Sequence, residues 1–167
     1  MLRNDYDGQT CNIAAALEVV GERWSLLIVR EVFLGVRRFD EMQSDLDIAR
    51  NVLQTRLTRL VENGVLERRL YQEHPPRHEY FLTEKGIDLW PTVVALMRWG
   101  DEHVPRPGGP PVLLEHRGCG GAVDAHRRCE RCGEDLTVRS VRALAGPGAG
   151  PGHPLARAVA DGAPRAG

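Results

Sequence analysis

The chain has 167 residues, 42% of them hydrophobic and 27% charged, and its 23 acidic and 22 basic residues give a net charge of −1. No stretch approaches the roughly 18 consecutive apolar residues of a membrane span, and the N-terminus lacks the apolar core of a signal peptide, so we expect a cytoplasmic protein without membrane contact. The near-neutral charge argues against a nucleic-acid binder unless basic residues are concentrated locally.

Changes in composition divide the chain into four segments. Six of the seven residues at 105–111 are Pro or Gly, which predicts a linker after a domain at 1–104. The segment 112–142, called the knuckle segment below, contains three of the four cysteines. Gly, Pro and Ala make up most of 143–167 without apolar periodicity, which predicts a tail without fixed structure.

Helical periodicity dominates the first sixty residues. Apolar residues recur at helical spacing in three stretches, which predicts helices at 11–20, 24–34 and 39–46. Asp47 is the candidate N-cap of a fourth helix, which runs to about Asn63 with Gly64 at the C′ position.

The periodicity then changes from helical to alternating. Two strand-like runs, at 65–71 and 79–82, flank a Pro-containing turn and predict a β-hairpin. A last helix is predicted from Thr83 to about Gly100, with a kink at Pro91. This order of elements predicts a mainly α, α+β fold, a winged helix-turn-helix whose fourth helix enters the major groove of DNA.

The predicted fourth helix has a face suited to DNA. Between Arg50 and Val61 it carries three arginines and no acid. Asn and Gln can pair with adenine, and Thr can contact a phosphate or a thymine methyl. The candidate contacts are Arg50, Asn51, Gln54, Thr55, Thr58 and Arg59. The alternative is a solvated amphipathic helix, and Arg56, nearer the core, is as well suited to an ion pair within the protein.

The hairpin turn is a second candidate contact. His74 and Arg77 flank two prolines, as in a rigid wing that lies along a phosphate backbone. Polar turns with proline are common in proteins of every class, so an ordinary surface turn stays open.

The residues from Cys11 to about His103 resemble the HxlR family of bacterial winged-helix regulators. The matching motifs, in chain order, are Gly-Glu-Arg-Trp-Ser-Leu-Leu-Ile-Val-Arg-Glu at 21–31, Arg-Phe-Asp-Glu-Met at 38–42, Ile-Ala-Arg-Asn-Val-Leu at 48–53, Arg-Leu at 56–57, Gly-Val-Leu-Glu-Arg at 64–68, Pro-Pro-Arg at 75–77, Glu-Tyr at 79–80 and Leu-Thr-Glu-Lys-Gly at 82–86. The resemblance implies a homodimer, formed through the first and last helices, that binds a pseudo-palindromic operator on the nucleoid and represses or occasionally activates a neighbouring gene.

Members of this family often respond to oxidants, electrophiles or small aromatic effectors, and Cys11 occupies the matching position. A cysteine at a helix N-terminus is disposed to ionise and react, although a small buried apolar residue is the alternative. A possible effector pocket comprises Trp24, Trp90, Met97 and Trp99, which could equally be core or dimer packing.

The knuckle segment contains two ligand pairs of the spacing found in zinc sites. His116 and Cys119, and then Cys129 and Cys132, are each three residues apart and each end in Cys-Gly. Four such ligands predict a closed tetrahedral structural zinc site, with His126 as a competing ligand. Another metal, or free and redox-active thiols, are the alternatives.

Two other functions are weighed against a DNA-binding regulator. One is a zinc-dependent protein-interaction module without sequence-specific DNA binding. The other is a thiol-dependent enzyme using Cys11, which no paired His and acid at suitable spacing supports, so we expect no enzyme.

Overall fold

The structure, a computed structural model, describes residues 10–160, without the side chains of residues 158–160. The chain divides into two compact units, an N-terminal unit ending at Gly86 and a C-terminal unit beginning at Ile87. Within the described residues, no helix has the length and apolar character needed to cross a bilayer.

The N-terminal unit consists of helices followed by a hairpin. Its elements are α1 (Asn12–Val20), α2 (Ser25–Phe33), α3 (Phe39–Leu46), α4 (Arg50–Glu62), β1 (Leu66–Gln72) and β2 (Arg77–Leu82), and the short helix α5 (Glu84–Ile87) lies at the boundary between the units. This arrangement confirms the predicted α+β winged helix-turn-helix fold.

The core of the N-terminal unit explains why α4 has one apolar and one polar face. Leu53, Leu57 and Leu60 recur every three to four residues and are almost completely buried. They are accompanied in the core by Ile28 of α2 and Met42 of α3. Because each such side chain contributes about 1.5–3 kcal/mol on burial, α4 has one stable orientation, which leaves its polar face to solvent.

The hairpin is anchored to the segment that precedes α3. Its antiparallel register pairs Leu66 with Leu82, with a bulge near the turn. The N–H of Tyr80 donates to the carbonyl of Arg37 at 2.9 Å, and Arg38 forms an isolated bridge with Glu79. The wing therefore has backbone bonds to the segment that leads into the helix-turn-helix.

The C-terminal unit consists of a helix, a small sheet and the turns of the knuckle segment. Its elements are α6 (Trp90–His103), β3 (Val112–His116), a 3-10 turn (Val138–Ser140), β4 (Val141–Ala145) and α7 (Pro154–Ala160). Strands β3 and β4 are antiparallel, with Val112 opposite Ala145. The guanidinium of Arg98 on α6 donates to the carbonyl of Val123 in the knuckle segment at 2.6 Å.

The residues predicted to form a tail without fixed structure include two regular elements. This prediction was wrong for 143–160, because β4 begins at Val141 and pairs with β3, and α7 follows with Leu155 buried. Residues 161–167 lie outside the described part of the chain. The boundary between the compact units falls at Gly86, inside the predicted domain 1–104, and places α6 in the C-terminal unit. The predicted domain bounds stay a prediction.

Two local predictions are corrected as well. Asp47 does not cap α4: it ends α3 in the left-handed conformation, at φ 48°, and Ala49 is the N-cap of α4. Pro91 does not kink a helix, because it lies in the first turn of α6, where a missing N–H costs no helical hydrogen bond.

Candidate nucleic-acid interface and metal centre

The polar face of α4 is exposed along its whole length. Asn51, Gln54, Thr55 and Thr58 are all solvent-accessible. The hydroxyl of Thr55 donates to the carbonyl of Asn51 at 2.9 Å, and the amide of Gln54 donates to the hydroxyl of Thr58 at 3.3 Å. Both bonds lie within α4, and the side chains of Asn51 and Gln54 are exposed, as base readout requires.

Three acid–base pairs surround this face. Arg50 lies 3.7 Å from Asp40. Glu22, in the turn before α2, lies 2.9 Å from Arg56 and 3.7 Å from Arg59. Arg56 is mostly buried and holds α4 through its ion pair, whereas Arg50 and Arg59 are exposed, and exposed pairs are weak enough to exchange with a phosphate. No local sequence pattern predicts that Glu22 pairs with α4, because it lies 34 residues before Arg56.

The wing presents its two predicted contacts to solvent. His74 in the turn and Arg77 at the start of β2 are both exposed. The amide of Gln72 donates to the carbonyl of His74 at 3.0 Å and holds the turn. Neither observation identifies a DNA contact, so both residues stay predictions.

Cys11 is exposed at the N-cap of α1 in the single chain, so it is not a residue of the core of the N-terminal unit. The N–H groups of Ala14 and Ile13 stabilise the thiolate and lower the pKa of Cys11 below its ordinary value. A sensing role for this residue stays a prediction.

The four residues of the suggested effector pocket differ in their surroundings. Trp24 precedes α2 in the N-terminal unit, and the others lie on α6. Trp90 is buried and Trp99 exposed. The C-terminal unit has a groove of about 520 Å³, and Met97 is the one residue of these four that lines it. An effector pocket formed by all four therefore stays a prediction.

The two predicted ligand pairs of the knuckle segment form one cluster. The ligand atoms of His116, Cys119, Cys129 and Cys132, called the His/Cys cluster below, all lie within 4.8 Å of one another. The Sγ atoms of Cys119 and Cys129 are 3.3 Å apart, and Nδ1 of His116 is 3.4 Å from Sγ of Cys119 and of Cys132. Sulfur and nitrogen ligands of a tetrahedral ion would be roughly 3.5–3.8 Å apart, so the cluster could hold a metal ion.

Both ligand pairs have the same backbone turn. The N–H of Gly120 donates to the carbonyl of His116, and the N–H of Gly133 to the carbonyl of Cys129, each at 2.8 Å. Both glycines have positive φ, which is why each cysteine at the end of a pair is followed by glycine. Gly121 is also required, because a Cβ at this position would lie 2.4 Å from Sγ of Cys129.

The imidazole of the cluster lies near an acid. His116 is buried, its Nδ1 faces the sulfurs, and its Nε2 lies 3.6 Å from a carboxylate oxygen of Glu134. Metal-ligating histidines commonly direct their second nitrogen at such a group, which fixes the tautomer. The position of Glu134 beside His116 was not predicted, although Glu134 follows Cys132 by two residues and is therefore close to the cluster in the sequence. His126, the competing ligand, is exposed and outside the cluster.

The thiols of the cluster differ in acidity. Burial raises the pKa of Cys129, but N–H groups of Cys132 and Arg131 and thiol hydrogen bonds from Cys119 and Cys132 outweigh it and lower this pKa to about 6. The hydrogen bond with Cys129, followed by burial, raises the pKa of Cys119. A cluster with one readily ionised thiol suits metal binding, which requires thiolates.

Comparisons with known proteins agree with this architecture. The model of the HxlR-like helix-turn-helix family matches residues 19–107. An HTH-type transcriptional regulator of Mycobacterium tuberculosis is 49% identical over 147 residues, 88% of this chain and 92% of that protein. A match of that length necessarily includes the knuckle segment.

Comparison with solved structures also identifies transcription regulators as similar proteins. The crystal structure of PA1607, a candidate transcription factor, aligns with a TM-score of 0.63 and 38% identity over 81% of this chain and 94% of the other. The redox regulator HypR in its oxidized form aligns with a TM-score of 0.52 and 29% identity over 56% of this chain and 97% of that one.

Proposed function

Because the chain belongs to the HxlR-like helix-turn-helix family and is a DNA-binding transcriptional regulator, we propose that it acts as a homodimeric repressor on a pseudo-palindromic operator. The observation that carries this proposal is the face of α4, on which Asn51, Gln54, Thr55 and Thr58 are exposed in a helix whose residues 50–61 include no acid. Such a face offers paired donors and acceptors to base edges and does not repel phosphate.

The proposed contacts divide into two kinds. Asn51 and Gln54 would read bases in the major groove, and the exposed cations Arg50, Arg59 and Arg77 would contact phosphates. Exposed apolar residues on two helices support a dimer: Ile13 and Leu17 on α1, and Leu96 and Trp99 on α6. Two copies of α4 would then bind half-sites about one turn of DNA apart, or a multiple of it.

We expect Asn51→Ala to reduce discrimination between the operator and a scrambled duplex by a factor of about 5 to 150, which corresponds to the ~1–3 kcal/mol of one bidentate base contact. Arg59→Ala should instead weaken binding to both duplexes by the same factor, because a phosphate contact carries no sequence information. Fluorescence anisotropy with the intergenic DNA beside the gene measures both effects.

The control is Arg106→Ala, which removes an exposed cation of the Pro/Gly segment and should change neither affinity. Unchanged discrimination in Asn51→Ala, in a protein that binds its operator, would contradict base readout by α4. Two results together would favour the zinc-dependent protein-interaction module instead. The wild-type protein would show no preference between the operator and the scrambled duplex, and Asn51→Ala would still bind a protein partner.

We also infer that the His/Cys cluster binds structural zinc. Three thiolates and one imidazole are soft and borderline ligands of the kind that select zinc, and four protein ligands leave no open position for catalysis. When bound, the ion would supply folding energy to the knuckle segment.

If Glu134 orients His116, Glu134→Gln should lower the affinity for zinc by about 10- to 100-fold, as expected for the loss of an acid behind a metal-bound histidine. Competition with a chromophoric chelator measures this affinity. Asp135→Asn is the matched control, because Asp135 is an exposed neighbour that pairs with Arg128. Equal affinities of the wild-type protein and Glu134→Gln would contradict the orienting role.

A further inference from the structure

The three thiols of the His/Cys cluster are unequally accessible to solvent. Cys129 is only 2% exposed, Cys119 is half-buried, and Cys132 is exposed. A small oxidant that arrives from solvent therefore reaches Cys132 first. The sulfurs of Cys119 and Cys129 both lie within 4.8 Å of that of Cys132, close enough for a second thiolate to attack it after a small side-chain movement.

The cluster is connected to α6 by one backbone bridge and one hydrogen bond from a side chain. Cys129 forms an antiparallel bridge with Val123. The carbonyl of Val123 accepts the hydrogen bond of 2.6 Å from Arg98, in the middle of α6. Any change that releases Cys129 from the cluster removes support from this hydrogen bond.

We propose that the His/Cys cluster is a site of oxidative modification, in which a hydroperoxide oxidises Cys132, a disulfide forms within the cluster, and the link from Val123 to Arg98 on α6 is lost. This inference rests on the metal site proposed above and is independent of DNA binding.

The reaction has two balanced steps. The thiolate of Cys132 attacks hydrogen peroxide, the O–O bond breaks, one oxygen bonds to Sγ as a sulfenic acid, and hydroxide leaves. The thiolate of Cys129 or Cys119 then attacks that Sγ, an S–S bond forms, and hydroxide leaves again. The two thiolates lose two electrons in total, the peroxide gains them, and two protons from solvent convert the hydroxides to water.

The consequence for the fold follows from the small apolar core of the knuckle segment. Between residues 112 and 142, the buried hydrophobic residues other than the ligand Cys129 are Val112, Val123, Leu136 and Val141. A disulfide leaves one thiolate and one imidazole, too few ligands to close a tetrahedral site. The segment would then lose the metal that contributes its folding energy.

The first experiment exposes the zinc-loaded full chain to hydrogen peroxide and follows zinc release with a chromophoric chelator. The disulfide is mapped by mass spectrometry after trypsin. Because arginines separate the cysteines, Cys119, Cys129 and Cys132 fall in the peptides 118–127, 129–131 and 132–139, and Cys11 in the peptide 4–23. We expect zinc release with a disulfide that includes Cys132 and one of the other two thiols of the cluster.

Two variants test the role of each thiol. Cys11→Ser should release zinc at the wild-type rate. Cys132→His keeps four ligands but removes the exposed thiol, and it should bind zinc and release it at least tenfold more slowly.

The outcomes distinguish this inference from the metal site on which it rests. A chain that binds no zinc contradicts the metal site. A chain that binds zinc but releases none, that forms its disulfide through Cys11, or that releases zinc as fast in Cys132→His contradicts the inference alone.

A second experiment tests the link to α6. Hydrogen exchange should become at least tenfold faster in residues 93–103 after oxidation, and Arg98→Gln, which removes the link directly, should give a similar increase without oxidation. Unchanged protection of α6 in the oxidised protein would overturn the proposed link.

Discussion

Replacement of Cys129 by alanine is expected to abolish zinc binding and to unfold the knuckle segment while the N-terminal unit stays folded. Cys129 is the most deeply buried of the three cluster thiols, and its pKa is lowered to about 6. Its Sγ contacts that of Cys119, and Cys132 lies in the same turn. Structural zinc contributes on the order of 10–16 kcal/mol at neutral pH in small zinc domains, which is as large as the total stability of a typical domain.

Two measurements check this expectation. Elemental analysis should fall from about one zinc per chain to none, by the four-ligand count. Amide hydrogen exchange should lose protection in 112–145 and keep it in α2 and α4, since these helices have their own core of buried leucine and isoleucine.

The matched control is Cys11→Ala, which removes an exposed thiol outside the cluster and should change neither the zinc content nor the exchange. A Cys129→Ala protein that keeps one zinc and full protection of the knuckle segment would show that the cluster is not the metal site. Protection that is kept without zinc would show that the apolar residues of the segment suffice to fold it.

The elements that were predicted correctly depend on short-range patterns. Helix α3 has the predicted bounds, because Phe39, Met42 and Leu46 lie on one face of a helix. The proximity of the four residues of the His/Cys cluster also follows from a local pattern, because each pair is closed by one turn whose glycine follows directly in the sequence.

The failures depend on choices that a local pattern leaves open. An Asp before a helix is a good N-cap, but Asp is also among the few residues that tolerate the left-handed conformation, and Asp47 uses that property to end α3. Strand β4 was missed because its apolar partner, β3, lies about thirty residues earlier, so its stability comes from a distant pairing.

The side-chain partners could not be predicted for the same reason. Glu22 meets Arg56 and Arg59, and Arg98 meets Val123, only after the chain has folded. The net charge of −1 did not indicate whether the protein binds DNA, because it sums over the whole chain. The acid-free face of α4 is exposed whatever the sum of the other charges.

Binding of the proposed dimer to its operator is expected to weaken by about 10³-fold between 50 and 200 mM monovalent salt. The exposed cations Arg50, Arg59 and Arg77 of each protomer would contact roughly six phosphates in all. Each neutralised phosphate contributes about −0.9 to the slope of log K against log salt concentration, so the slope should be about −5. Fluorescence anisotropy over this range of salt concentration measures the slope directly.

Arg77→Ala tests the contribution of the wing to the salt dependence separately from that of α4. Loss of one cation from each protomer should reduce the slope by about 2 and leave discrimination between operator and scrambled DNA unchanged, because a phosphate contact carries no sequence information. Arg106→Ala removes the same charge from the Pro/Gly segment and should leave the slope at its wild-type value. An equal reduction in both variants would mean that net charge, and not the wing, sets the salt dependence, and an unchanged slope in Arg77→Ala would remove the wing from the interface.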